Sequence, residues 1–178
     1  MKKKTLKNSL KKIKNHNGFS LIEILVAIII VTVIATIGLA NFTHYRKNMV
    51  LTELMTLANT VIEAQHEAMI RNTPQTITFY PEQKKYSWDG LTHTLNPAVM
   101  FGIIPGVKGP PSTPTTFISN PITFKNNQLI AHPDGIIDPG TVYLVDSSQK
   151  FMYAITIGIS QVSYLRTYRY ETGWKALS

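Results

Sequence analysis

The chain has 178 residues, room for one domain with a moderate core plus an uncharged stretch near its N-terminus. Its formal charge of +8 suggests nucleic acid or anionic lipid, but seven of the eighteen Lys and Arg residues precede Gly18 and no acid does. From Phe19 onward eleven bases face ten acids, so the basic signal belongs to a leader and speaks to membrane topology rather than to a basic surface. The absence of cysteine excludes a disulfide framework and thiol chemistry.

Residues 1–18 read as a basic cytoplasmic leader. The segment "GFSLIEILVAIIIVT", Gly18 to Thr32, follows with a lone glutamate, Glu23, inside an apolar run. Between Glu23 and Arg46 there is no formal charge over twenty-two residues. At 1.5 Å per residue a helix of that length reaches about 33 Å, enough for a hydrocarbon core of about 30 Å. Residues 19–45 are therefore predicted to span a membrane, with the lysine-rich end in the cytoplasm and the C-terminal part on the far side. A secretory signal would use "GLA", Gly38 to Ala40, as its exit. A plain signal anchor accounts for everything except Glu23 and the Gly18–Phe19 junction. A carboxylate in a span costs roughly 2.5 to 3.5 kcal/mol, so Glu23 calls for a partner. Cutting after Gly18 would create one, because the new α-amine of Phe19 lies within about one helical turn of the carboxylate. In a bundle, the amine of one subunit can meet the carboxylate of another.

The residues "GFSLIE" resemble the cleavage and methylation signature of type IV prepilins and pseudopilins. The resemblance implies that prepilin peptidase cuts between Gly18 and Phe19 and methylates Phe19, and that Glu23 directs incorporation among other pilins or pseudopilins. Ala40 stands where many members of the family carry proline.

Asn41 to Asn72 continues as helix without a breaker. Val50, Leu54, Leu57, Val61 and Ala68 form one apolar stripe, with Glu53, Glu63 and Glu67 mostly outside it. Residues 46–73 are thus the amphipathic part of the N-terminal helix, and Thr73-Pro74 ends it. From residue 74 to 178 a β-rich periplasmic domain is expected. "QTITFY" and "KKYSWDG" flank a Pro81-Glu82-Gln83 turn, and "TVYLVD" and "KFMYAITIGI" flank Ser147-Ser148-Gln149, each pair reading as a hairpin. Apolar runs at Ala98–Ile104, Pro121–Phe124 and Leu129–Ala131 are predicted to add strands. The proline-rich Pro105–Thr116 reads as a loop. The predicted fold is α+β: a long N-terminal helix packed on an antiparallel β-sheet or sandwich.

From Phe124 to Ile157, "FKNNQLIAHPDGIIDPGTVYLVD" followed by "FMYAITI" is similar to the β-domain of H-type minor pseudopilins and the related minor pilins. His44, His66, His93 and His132 are well separated and no nucleophile triad stands in a recognisable motif, so no enzyme, cofactor or metal is expected. Asp134 and Asp138 in "HPDGIIDPG" suit a cation but are also ordinary turn formers. Near the C-terminus, "SYLRTYRYETGWK" offers a basic-aromatic alternative. On a strand Tyr164, Arg166, Tyr168 and Tyr170 share one face, and Arg166, Tyr168, Arg169, Tyr170 and Lys175 are the candidate DNA contacts. Related DNA-binding minor pilins carry a Gly-Arg element, and "SQVS", Ser160 to Ser163, stands at that place instead. The favoured reading is a non-catalytic minor pseudopilin of a type II secretion pseudopilus, anchored in the bacterial inner membrane. The alternative is a type IV pilus minor pilin acting in pilus initiation or DNA uptake.

Overall fold

The computed structural model describes residues 20–158 and 164–177, with the side chains of residues 37–44 outside the description. The leader, Gly18, Phe19 and Ser160–Ser163 therefore lie outside the described residues. The chain divides into two compact units, Met1–Ala40 and Asn41–Ser178. A single helix of 51 residues, α1 (Leu21–Arg71), contributes to both.

In the first unit α1 is apolar on every side. From Leu21 to Thr36 only Glu23 and two threonines interrupt Ile, Leu, Val and Ala, and every one of these residues is exposed, from Val26 at 48 % to Leu21 at 81 % among the large apolar ones. The Thr32 and Thr36 hydroxyls donate to the carbonyls of Ile29 and Val33, both at 2.8 Å. Their polarity is thus satisfied within the helix, as an apolar surrounding requires. Among the described residues, no helix is long and apolar enough to cross a membrane.

In the second unit the same helix becomes one-sided. Val50, Leu54, Leu57 and Ala68 are fully buried and Val61 nearly so, while Glu63 faces solvent. Glu53 departs from the predicted outer face: its carboxylate is drawn inward, accepting from the Asn96 N–H at 3.0 Å and lying 2.8 Å from His93 Nε2. The helix ends as the sequence predicts. Asn72 adopts φ 50°, the Thr73 N–H donates back to the Ala68 carbonyl at 3.2 Å, and Pro74 cannot continue the ladder.

Among the described residues nine strands follow: β1 (Gln75–Tyr80), β2 (Lys85–Trp88), β3 (Leu91–Thr94), β4 (Val99–Phe101), β5 (Gln128–Ala131), β6 (Gly140–Asp146), β7 (Met152–Gly158), β8 (Tyr164–Tyr170) and β9 (Trp174–Ala176). All pair antiparallel in two sheets, ordered β3-β2-β1-β5 and β4-β6-β7-β8-β9. The α+β expectation holds, and both predicted hairpins form, as β1–β2 and β6–β7. Alternation sorts the second sheet into two faces. Val142, Leu144, Tyr153, Ile155 and Ile157 join the helix stripe and the first sheet's Ile77, Phe79 and Leu129 in the main core. Tyr143, Val145, Met152, Ala154 and Tyr168 point the other way, into a smaller core that includes Val107 of the proline-rich loop.

Pro121–Phe124 does not form the strand its apolarity predicts. Only an isolated bridge joins Ile122 to Val142, since Pro121 has no N–H and contributes its carbonyl alone, to the Tyr143 N–H at 2.8 Å. Ile122 and Phe124 are nevertheless buried, and Phe124 lies so close to Gly140 that a Cβ there would come 2.5 Å from its ring.

The β6–β7 turn is built around Asp146, which has no solvent exposure. Oδ1 accepts the N–H groups of Lys150 and Phe151 at 2.7 and 2.8 Å, and Oδ2 accepts the Ser148 N–H at 3.0 Å together with its hydroxyl. Arg46 NH1 of α1 is 3.7 Å from Oδ2. Burial alone would raise this carboxyl's pKa; the donors from Ser148, Phe151 and Lys150 outweigh it and hold the group below the usual carboxylate range.

Candidate assembly and processing site

The described chain begins at Ser20, and the first helical turn is fixed by its neighbour three residues on. The Glu23 and Ile24 N–H groups donate to the Ser20 carbonyl at 2.9 and 3.2 Å. The Glu23 carboxylate reaches back to accept the Ser20 N–H at 3.3 Å. This is the carboxylate half of a Ser-x-x-Glu capping box, with the acid in the first turn where the helix dipole favours it. Sequence reasoning treated Glu23 only as a partner for an amine and missed this contact, although "SLIE" carries its signature.

Around the acid the helix presents a continuous apolar surface. Glu23, Ile24, Ala27, Ile28, Val31 and Thr32 line one shallow groove along it. A helix apolar all round has no use in water and buries itself in lipid or against other helices.

The basic-aromatic segment at the C-terminus is arranged differently from a nucleic-acid platform. Pairing along β7–β8 places Tyr164, Arg166, Tyr168 and Tyr170 opposite Gly158, Thr156, Ala154 and Met152, so the predicted shared face exists. Tyr168, however, is 5 % exposed. It meets Trp174 edge-on at 6.4 Å, and Tyr170 and Tyr143 complete the aromatic group at 5.3 and 6.0 Å from the same indole. The indole N–H donates to the Lys108 carbonyl at 2.8 Å, tying the group to the proline-rich loop. Tyr168 and Tyr170 are thus packed beneath that loop instead of offered to bases. Arg166 is exposed, with its guanidinium 4.6 Å from the Tyr164 ring centre. Arg169 faces the main core, opposite to Arg166, and pairs in register with Lys175. Both are bound to Glu171, at 3.1 and 3.3 Å. The five candidate contacts are therefore split between two faces of the sheet.

The histidines are similarly dispersed. His93 lies on Glu53, and His132 on Asp138 at 3.0 Å. Asp134 accepts the Ile136 N–H at 3.0 Å, the ordinary work of a turn aspartate. Among the described residues no group of three or more His, Asp or Glu is placed to hold a metal ion.

Neither a curated protein nor a solved structure matches the chain. The prokaryotic N-terminal methylation motif matches residues 13–39, a stretch containing Gly18, Phe19, Glu23 and most of the uncharged run. That motif leads into a helix apolar on all sides, so the chain carries the N-terminal methylation signature of type IV pilin-like proteins.

Proposed function

We propose that this protein is a minor pseudopilin, a non-catalytic subunit of a type II secretion pseudopilus. Residues 1–18 would be removed by prepilin peptidase, Phe19 methylated, and residues 19–45 would anchor the chain in the inner membrane until it joins the fibre. Residues 46–73 then form the amphipathic half of the helix, and residues 74–178 the periplasmic β-domain. The carrying observation is the helix surface from Leu21 to Ile34, apolar on every side with Glu23 as its lone charge. Such a surface suits lipid before assembly and neighbouring helices after it. The burial of Tyr168 beneath the proline-rich loop, where it cannot stack on a base, favours secretion over DNA uptake.

Two measurements test this. Mass spectrometry of the membrane fraction from a host with prepilin peptidase should find a mature chain starting at methylated Phe19, whereas a start at Asn41 would mean an ordinary signal peptide. A deletion strain scored in parallel for secreted enzyme, surface pili and transformation should lose secretion alone. Loss of pili or of transformation instead would assign the protein to the other machine.

A further inference from the structure

Arg46 and Lys47 are the first charged residues after the uncharged run that ends at Tyr45, and the fold brings further cations to them. Lys47 Nζ is 3.8 Å from Glu171 Oε1, and that same carboxylate holds Arg169 at 3.1 Å and Lys175 at 3.3 Å. One acid thus serves three bases contributed by α1, β8 and β9. The nearby Asp146 carboxylate lies 3.7 Å from Arg46 NH1, so those two charges offset one another. Lys47, Arg169 and Lys175 against the single carboxylate of Glu171 leave a cationic surplus where the three meet. Tyr45, 57 % exposed, closes the uncharged run one residue before Arg46.

We propose that this cluster is a docking surface for anionic phospholipid headgroups, which holds the β-domain against the bilayer before assembly. The inference rests on the membrane-anchor reading, since that is what places residue 46 at the headgroup layer. A tyrosine followed by bases suits that layer: the ring takes the interface and the ammonium and guanidinium groups take phosphates. Glu171 keeps the bases oriented and leaves their combined charge largely unneutralised. Release from this surface would accompany entry into the fibre.

The chain has no cysteine, so Thr172→Cys, in the exposed β8–β9 turn, gives full-length protein a single site for a fluorescent label. The labelled protein is reconstituted into phosphatidylcholine vesicles with or without about 30 % phosphatidylglycerol, each carrying a quencher on its headgroups. Quenching should be stronger with phosphatidylglycerol and should fall to the phosphatidylcholine level in about 1 M salt, where screening acts over about 3 Å. Lys47→Gln and Lys175→Gln should each lower the docked-to-undocked ratio roughly fivefold, the effect of one basic residue at an anionic surface. Near-UV circular dichroism checks that both variants keep their fold. Protein that floats with vesicles after alkaline extraction yet is quenched equally in both lipids overturns the docking surface and leaves the anchor intact. Protein that does not float overturns both. Quenching that follows protein density instead of phosphatidylglycerol makes the cluster a subunit contact and also overturns the proposal.

Discussion

Replacing Asp146 by asparagine changes little in shape and much in hydrogen bonding. With the amide oxygen in the Oδ1 position, the Lys150 and Phe151 N–H groups keep an acceptor, but a neutral one. Each such bond drops from the charge-assisted range of roughly 1.5 to 3 kcal/mol to about 1 kcal/mol. The amide NH2 then faces the Ser148 N–H, a donor against a donor, and a buried donor without a partner costs about 1 to 3 kcal/mol. Asp146→Asn should therefore destabilise the domain by about 3 kcal/mol, and Asp146→Ala by more. For a domain of this size that is a fall in Tm of about 10 °C. The assay is unfolding of full-length protein in detergent, followed by near-UV circular dichroism. The effect should also depend on pH with a defined sign. Asp146 has its folded-state pKa below the unfolded value, so its contribution is complete above the unfolded pKa and disappears as pH falls through the folded one. Wild type and Asp146→Asn should thus differ most near neutrality and converge in acid. A Tm within a degree or two of wild type at pH 7, or a gap that widens on acidification, would refute the account of this turn.

Glu23→Leu should enter the membrane at least as well as wild type and still be cleaved, yet fail to co-purify with the major pilin or pseudopilin; normal incorporation would remove the assembly role. Glu23→Gln should resemble Leu in assembly while keeping a capping acceptor for Ser20, which separates charge pairing from the cap. Gly140→Ala should cost about 2 kcal/mol, because the new methyl meets the buried Phe124 ring, whereas at Gly158 the obstacle is the exposed Tyr164, which can swing away. Urea midpoints for the two variants should differ clearly, and equal midpoints would count against the packing described. Trp174→Ala should loosen the proline-rich loop and speed proteolysis between Gly106 and Ile118, since it removes both the aromatic group and the bond to the Lys108 carbonyl.

The helix stripe and the two long hairpins were legible because their information is local. A 3.6 period from Val50 to Ala68 and a period of two around Ser147–Gln149 name the buried face without reference to any other part of the chain. What escaped was non-local or weakly patterned. β3 shows no alternation, with Leu91, Thr92 and Thr94 all exposed, and it exists because β2 offers it an edge. β9 has three residues and depends on β8 in the same way. Pro121–Phe124 misled in the opposite sense, since apolarity reports burial and not strand pairing. At the C-terminal segment the even-numbered face was correctly read, but nothing in "SYLRTYRY" says that a loop some sixty residues earlier covers Tyr168. Glu23 stands out in the sequence as a lone charge, and its contact with Ser20 is carried by the Ser-x-x-Glu spacing of "SLIE".

Open sheet edges are an invitation to uncontrolled strand pairing, a particular hazard for a subunit packed among others in a fibre. Here the edges are blunted. β4 and β9 have three residues each and β3 has four, too few for an extended ladder. The outer side of β5 is occupied by its own following loop, through the Ala131–Ile137 bridge and the Asp138 N–H to the Ile130 carbonyl at 3.0 Å. A domain so finished offers little backbone to its neighbours. In the proposed fibre, polymerisation would then be left to side-chain packing along the apolar helix, an interaction that subunits can enter and leave without unfolding.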